Sequence, residues 1–573
     1  MKVRAGFVVL FLGGCASAPA ATRPVTPAPA AVVKAPVAEP AQAAVDDKVW
    51  TLKKLASGAT LLGNLGSVHR TVTTRSPEAQ KFFDQGLALT YGFNHDEAAR
   101  SFARAAELDP SCALCFWGAA YTLGPNYNVP MLADRAGAAW EAIQAAQKNA
   151  AAASDVEKGL IAALAKRYSG PTYIEPPAMQ PFNEAFALAM NEVAGRFPED
   201  LDVQTLAAEA AMNVNPWKLW AADGEPAAGT PEIVARLENV LSRDPQHAGA
   251  NHYYIHAVEA SKHPEKAVPS ADRLPQLVPA AGHIVHMPAH IYQRVGRYAD
   301  ASRANAAAVQ ADEAYLAKVK APGYYPMYTA HNHGFLAYSA AMEGRSEVSL
   351  SAARGAATAM PRDMVCGMPG MDFFLSEPLL VLVRFGRWED VLKEPAPDAK
   401  YQVLTALHQH ARGMALAATG KLDEARAAVQ AIRATQAALP NELLAGLNEG
   451  RLVLDLAATV VEARIAEAAR APEAITLWKS AVALEDKLAY NEPADWFYPT
   501  RHYLGALLLD RGNAKEAEAV YRDDLARNPD NGWALFGLAK ALRAQRKAAA
   551  AQTDVAFQRA WKDADVKLTR SAF

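Results

Sequence analysis

Cysteine and histidine are scarce in this chain, and the body of the sequence lacks both a basic block and a long apolar run. Only 4 of the 573 residues are cysteine and 14 are histidine. The net charge is −3, with charges of both signs spread along the sequence, so nothing indicates binding to nucleic acid or to an anionic membrane surface. No later run is long and uncharged enough to span a membrane, and we expect the chain from about residue 48 to be soluble.

Signatures of several enzyme classes are also absent from the sequence. We find no nucleophile elbow, no glycine-rich loop for phosphate and no dinucleotide fingerprint, so there is no signal for a nucleotide or organic cofactor. Cys112 and Cys115 form one Cys-x-x-Cys pair, whereas a cysteine zinc site needs a second pair. In an oxidising compartment this pair can be a redox site or a disulfide. Because it follows Leu-Asp-Pro at a helix start, we favour two buried small apolar residues.

The first residues resemble the signal of a bacterial lipoprotein. The stretch MKVRAGFVVLFLGGC has a charged start, a short apolar segment and a cysteine after small residues, and the segment is too short to cross a bilayer as a helix. The resemblance implies a signal peptide over residues 1–14, a lipid on Cys15, and an outer-membrane lipoprotein facing the periplasm or the cell surface. The alternative is an ordinary secreted protein that loses Cys15 with its signal.

Residues 15–47 consist mainly of alanine, proline, valine and threonine. This composition favours extended chain and cannot bury an apolar core. We therefore expect a tether between the lipid and the folded region, with the N-terminal lipid as the membrane contact.

The remaining chain carries an internal repeat. In AQKFFDQGLALTYGFNHDEAARSFARAAELDP, small residues, an aromatic and a proline stand at fixed spacings, namely Gly86, Ala98, Phe102, Ala105 and Pro110. The same spacing recurs near the C-terminus at Gly505, Ala517, Tyr521 and Pro529. Here the chain resembles the tetratricopeptide repeat (TPR) family, whose unit is a pair of antiparallel helices of about 34 residues.

Carried along the chain, this register divides most of residues 75–565 into repeats. They begin at residues 79, 248, 282, 330, 406 and 498, with weaker copies near 113, 201, 372 and 532. The resemblance implies an all-α fold, a TPR-type helical-hairpin solenoid wound as a right-handed superhelix. We divide it into an N-terminal TPR region (48–200), a central histidine-rich TPR region (201–363) and a C-terminal TPR region (364–573). Such a fold alone does not fix a function.

Five histidines lie in two short segments, HYYIHAVE at 252–259 and GHIVHMPAH at 282–290. Resemblance to the TPR family implies that the second, fifth, ninth and twelfth places of each first helix face a concave groove, and these offsets share one side of a helix. First helices of neighbouring repeats pack about 8–10 Å apart, so side chains at these places can converge. The groove places of the central repeats are held by His252, His256, Glu259, His283, His286, His290 and His331.

Neutral imidazole is a common ligand for zinc and copper, and two histidines four residues apart on a helix can share one ion. We therefore predict that these seven residues form a site for a transition metal, zinc or copper. Four imidazoles would suit one closed tetrahedral site or two ions with open positions. Equivalent groove places further away are held by Glu209, His410 and His502.

Three functions stay open at this point. We favour a lipid-anchored scaffold of the bacterial envelope that holds a metal in its groove and binds a protein or peptide partner there. One alternative is a metal-dependent enzyme with Glu259 or Glu209 as the base, in which the aromatic loops at 215–231 and 319–328 close over the groove. The other is a peptide-binding array without metal. The histidines off the groove places are interpreted as ordinary surface or packing residues, namely His95, His247, His263 and His408.

Overall fold

The structure, a computed structural model, describes residues 50–221, 223–319 and 323–573. The predicted signal peptide, the lipidated Cys15 and the tether lie outside these residues. Across the described ranges, no helix has the length and apolar character needed to cross a membrane.

The described residues form twenty-seven α-helices. In chain order they are α1 Leu52–Gly58, α2 Pro77–Tyr91, α3 His95–Leu108, α4 Ala113–Leu123, α5 Ala136–Asn149, α6 Asp155–Leu164, α7 Pro176–Arg196, α8 Leu201–Met212, α9 Thr230–Arg243, α10 Ala248–Val258, α11 Val268–Leu277, α12 Gly282–His286, α13 Pro288–Arg294, α14 Tyr298–Leu316, α15 Pro326–Met342, α16 Ser346–Ala359, α17 Arg362–Gly367, α18 Glu377–Arg384, α19 Trp388–Lys393, α20 Gln402–Ala418, α21 Leu422–Ala438, α22 Gly450–Ala468, α23 Ala474–Glu485, α24 Thr500–Asp510, α25 Ala514–Arg527, α26 Gly532–Ala544 and α27 Ala549–Ala560.

Short elements join some of these helices. Strands β1 and β2 pair antiparallel before α22, and 3₁₀ turns occur at five places; the bounds are β1 Leu444–Ala445, β2 Asn448–Glu449, and 3₁₀ turns Ala133–Arg135, Ala150–Ala152, Ala165–Arg167, Pro264–Ala267 and Met371–Ser376. Neighbouring helices pack as antiparallel hairpins, among them α2 with α3, α15 with α16, α20 with α21 and α24 with α25. The predicted all-α, TPR-type hairpin solenoid is confirmed.

The repeat pattern has a direct packing cause. Phe102 on α3 is buried between two glycines, Gly86 on α2 and Gly118 on α4, where a Cβ would lie 2.7 and 2.4 Å from the ring. An aromatic ring fits between three closely packed helices here because the residues that face it on the other two helices are glycines, which have no side chain. The same arrangement recurs around Tyr521, which lies between Gly505 and Gly537.

The array also folds back on itself. Helix α2 contacts α10, so the first repeat packs on the central histidine region. Near the C-terminus, the indole of Trp533 on α26 donates a hydrogen bond to the carbonyl of Ala341 on α15 at 2.9 Å. The side chains of the central histidine region are therefore buried, whereas we had expected them to line an open groove.

Cys112 and Cys115 are both buried, as expected, but a disulfide joins them. The preference for two separate small apolar residues was wrong. Cys112 precedes α4, and its sulfur also accepts a hydrogen bond from the backbone N–H of Cys115, so the short link fixes the start of that helix.

Candidate metal centre

Four helices bring the six central histidines together. His252 and His256 lie on α10, His283 and His286 on α12, His290 on α13 and His331 on α15. The segment GHIVHMPAH is divided at Pro288, because proline has no backbone N–H to donate and therefore begins a new helix, α13. The imidazoles fall into two sets of three, triad one with His252, His256 and His283 and triad two with His286, His290 and His331.

Triad one is completely enclosed. Its three candidate ligand atoms lie within 4.8 Å of one another, and the side chains are at most 2% exposed. His252 donates from Nδ1 to the carbonyl of Tyr91 at 2.6 Å, which leaves Nε2 as its inward-facing atom. His256 places Nδ1 3.1 Å from a carboxylate oxygen of Glu259. The Nε2 atoms of both residues and both ring nitrogens of His283 have no hydrogen-bond partner within the described chain.

Triad two has the same construction. His286 places Nδ1 2.6 Å from the carboxamide oxygen of Asn305, whose own amide donates to Ala301, so the ring nitrogen is the donor. Nε2 of His286 lies 2.9 Å from Nε2 of His290. The imidazole of His331 completes the set, with its ring centre 4.8 Å from that of His286.

Two buried carboxylates adjoin the triads. Glu259 places one oxygen beside His256 and the other 2.9 Å from Nδ1 of His290, so it contacts both triads. Glu492, from the segment between α23 and α24, lies 3.0 Å from the same Nδ1. Glu259, His290 and Glu492 thus form a third group with ligand atoms within 4.8 Å. A carboxylate behind a ligating histidine fixes the ring and raises its basicity.

Burial and neighbouring charge shift the pKa values of these groups in opposite directions. Burial, together with the other imidazoles, holds the pKa values of His252, His283 and His286 well below the ordinary value. His290 differs, because the two carboxylates outweigh burial and raise its pKa to about 10. Burial raises the pKa of Glu492 to about 7. Burial also lowers the pKa values of His256 and His331. Five of the six imidazoles are therefore neutral, the form that binds metal, whereas His290 must lose a proton before it can bind an ion.

Aromatic rings cover both triads. Phe93 lies against triad one, 4.7 Å from the ring centre of His252, and Phe335 lies against triad two, 4.9 Å from that of His290. Connections between helices contribute Tyr127 and Trp217, which contact His256 at 5.2 and 5.9 Å, and Tyr328 on α15 contacts His283 at 4.5 Å. These rings surround the cluster with apolar surface, and electrostatic interactions are stronger in such surroundings than in water.

A cavity of about 1350 Å³ approaches the cluster from one side. Tyr127, Trp217 and Glu492 line this cavity and also contact His256 or His290. These three side chains therefore separate the cavity from the cluster.

The structure does not bring the more distant predicted residues to the cluster. Glu209 accepts hydrogen bonds from Tyr121 and Asn213. His410 hydrogen-bonds Ala457 and Tyr498, and His502 lies 2.8 Å from Asp524. All three are buried in contacts of their own.

The histidines predicted to lie off the groove are more buried than a surface position allows. His95, His247 and His408 are at most 9% exposed, whereas His263 is exposed. His247 caps α10 by accepting from the backbone N–H of Ala250. These three are packing residues, and the surface interpretation holds only for His263.

Sequence reasoning missed the outer residues of the site. Glu492 lies in a segment that fits the repeat period badly, and Phe93 and Tyr127 lie in connections between helices. Asn305 is one helix away from His286. Asn305 lies on α14, in the same repeat as His286, so a search of that repeat for polar partners would have found it. No signal in the sequence points to Glu492.

Comparison with known proteins adds no functional assignment. No family model matches the chain, and no curated protein matches it. Solved structures that match include the human IFIT1 dimer with PPP-AAAA, at 13% identity over 91% of this chain and 96% of that chain, with a TM-score of 0.30. The TPR domain of P58(IPK) matches at 13% identity over 82% and 98%, with a TM-score of 0.21.

Yeast Tom70 matches at 11% identity over 84% of this chain and 92% of that chain, with a TM-score of 0.28. Likenesses at such low identity and TM-score carry no argument about what this chain binds. The function has to be argued from the cluster itself.

Proposed function

We propose that this protein binds a transition metal, zinc or copper, in the histidine cluster at the centre of its TPR array. One observation carries the proposal: four ring nitrogens of triad one are buried, and none has a hydrogen-bond partner within the described chain. A buried polar group without a partner costs about 1–3 kcal/mol, and coordination of an ion removes that cost for the nitrogens it engages.

The ligand set and its supports agree with this proposal. Ligating histidines usually donate the other ring N–H to a carbonyl or carboxylate, and His252 does so to Tyr91. Imidazole ligands suit zinc and copper, while calcium and magnesium prefer oxygen. Met287 lies inside the segment 282–290 and Met327 lies four residues before His331; because a thioether is a ligand that copper accepts, copper stands beside zinc in the proposal.

Metal content of the full chain, purified without a histidine tag, tests the proposal by elemental mass spectrometry. We expect near-stoichiometric zinc or copper in the wild type and its loss in a His252→Ala/His256→Ala variant. His410→Ala/His502→Ala is the matched control, because it also removes two buried histidines but lies outside the cluster. A folded wild type that carries no metal and takes up none contradicts the proposal.

The location of the protein is a further part of the proposal. The lipoprotein-like start supports a lipid on Cys15 and an outer-membrane lipoprotein facing the periplasm or the cell surface, tethered by residues 15–47. Cys15→Ser should then move the protein from the membrane fraction to the soluble fraction of cells, whereas Cys366→Ser should not. Equal membrane association of both variants argues against the lipid.

A protein or peptide partner is proposed to lie in the cavity beside the cluster. Its lining combines aromatic rings with polar groups, the combination used to hold an extended chain. A photoreactive amino acid at position 217 should crosslink such a partner, while one at position 188, where Leu188 is 64% exposed on α7, should not. Equal crosslinking at both positions places the partner elsewhere.

A further inference from the structure

We infer that the cluster is a dinuclear centre, with one ion on each histidine triad and Glu259 joining the two. The inference rests on the proposed metal-binding function and states how many ions are held, by which residues, and how the two sites are connected. The protein would bind two late transition-metal ions, zinc or copper, each through imidazole nitrogens.

The first reason is geometric. Each triad has its ligand atoms within 4.8 Å of one another. An ion held at about 2.0–2.1 Å by tetrahedral nitrogens separates them by about 3.3 Å, so small rotations of buried rings complete either site. In triad two, Nε2 of His286 and Nε2 of His290 share a hydrogen bond at 2.9 Å, and a separation of about 3.3 Å would let one ion replace it.

The second reason is that the two triads have separate supports. In triad one, Tyr91 accepts from Nδ1 of His252. In triad two, Asn305 accepts from Nδ1 of His286. Phe93 covers the first set and Phe335 the second. A single ion would need only one such arrangement, whereas the chain provides a hydrogen-bond acceptor and a covering ring for each triad.

The third reason is the position of Glu259. Its two oxygens face different triads, one toward Nδ1 of His256 and the other toward Nδ1 of His290. The side chain is 1% exposed, so this carboxylate is a positioning residue for both sites at once. Glu492 supports triad two alone, through His290.

Three protein ligands on each ion leave an open coordination position, which is how catalytic zinc sites differ from closed structural ones. Rings between the triads lie close together: the centres of His256 and His290 are 5.9 Å apart, and those of His283 and His286 are 5.8 Å apart. A small molecule bound at one ion is therefore within reach of the other, as in two-metal sites.

Copper titration of the full chain tests the inference. We expect two ions per chain in the wild type, and one each in His252→Ala/His283→Ala and in His286→Ala/His331→Ala. Electron paramagnetic resonance of the wild type, which needs no variant to fold, should show dipolar broadening only after the second equivalent of Cu(II). Saturation at one ion overturns the dinuclear inference and leaves the proposed function standing. Failure to bind any ion overturns both.

The link through Glu259 has its own test. Glu259→Gln should lower the affinity for both ions by about 10–100-fold, the usual effect of losing a residue that supports a metal ligand. Glu492→Gln should lower only the affinity of triad two. The two variants make the same carboxylate-to-amide substitution and are matched in burial, at 1% and 2% exposure. An equal pattern of losses in both variants overturns the assignment of Glu259 as the residue that joins the sites.

Discussion

Asn305 tests how strongly the proposed metal centre depends on a residue that supports a ligand without binding an ion itself. Its side chain is fully buried. The carboxamide oxygen accepts from Nδ1 of His286 at 2.6 Å, and the amide donates to the carbonyl of Ala301 at 2.8 Å. Nε2 of His286 is thereby directed toward triad two, so replacing Asn305 releases a ligand from its orientation.

We expect Asn305→Ala to weaken metal binding at triad two by about 10–100-fold, the effect of removing an outer partner from a ligating histidine. This corresponds to about 1.4–2.7 kcal/mol of binding free energy. Asn305→Asp retains an acceptor for Nδ1 and should recover most of the affinity. Triad one should keep its affinity in both variants, because Asn305 contacts none of its members.

Competition against a chromophoric chelator measures the affinity, with circular dichroism to verify folding. Asn531→Ala is the control: Asn531 is also fully buried, and its amide donates to Asp524 and Asn528 in the C-terminal region. It should lower stability but leave the metal affinity unchanged. A folded Asn305→Ala protein with wild-type affinity would refute the assignment of His286 as a ligand held by Asn305.

Three further outcomes are expected. In Gly537→Ala the new Cβ would lie 2.1 Å from the ring of Tyr521. We expect this overpacking to outweigh the higher helix propensity of alanine and to lower the free energy of unfolding, measured in urea, by about 1–3 kcal/mol. Gly195→Ala is the control, because its Cβ would meet nothing within 4 Å and should be neutral or stabilising; equal urea midpoints for the two variants would contradict the packing account. Burial favours a higher pKa for Asp202, but hydrogen bonding to His247 and nearby charge lower it to about 2. The resulting stabilisation, roughly 2 kcal/mol, is complete above about pH 4 and is lost as the pH falls toward about 2, so Asp202→Asn should flatten the acid side of the stability curve. Chelation should lower the thermal midpoint, and metal restored at 100 times its dissociation constant should return about 2.7 kcal/mol per site; a midpoint that chelator and metal leave unchanged would count against the site.

The helix pairs were predictable because their packing leaves a trace in the sequence. A ring such as Phe102 needs glycine at Gly86 to fit, and the spacing between them is set by the helix hairpin itself. Helix bounds follow from local signals as well: Ser76 accepts from the backbone N–H of Ala79 and precedes a proline at the start of α2. The 34-residue register then places further pairs, such as α15 with α16 and α20 with α21, although residues 122–195, 214–240 and 440–497 fit it badly.

The inner part of the candidate site was predictable for the same reason, and the outer part was not. The convergence of His252, His256, His286 and His290 follows from helical spacing and repeat register. Glu492 comes from a connection between α23 and α24 that follows no period, so nothing in the sequence places it beside His290. The burial of the cluster was also unforeseen, because contacts of the first repeat with α10 depend on how the whole array curves.

The closure of the array removes the modularity usual for repeat proteins. In an open solenoid each repeat contacts only its neighbours, so end repeats can be deleted or exchanged with local effects. Here Tyr91 in the first repeat holds His252, and Glu492 near the last repeats holds His290. Deleting the first repeat, or a C-terminal portion that includes Glu492, therefore removes a contact of the histidine cluster, and the proposed metal centre can be completed only once the chain has been synthesised past residue 492.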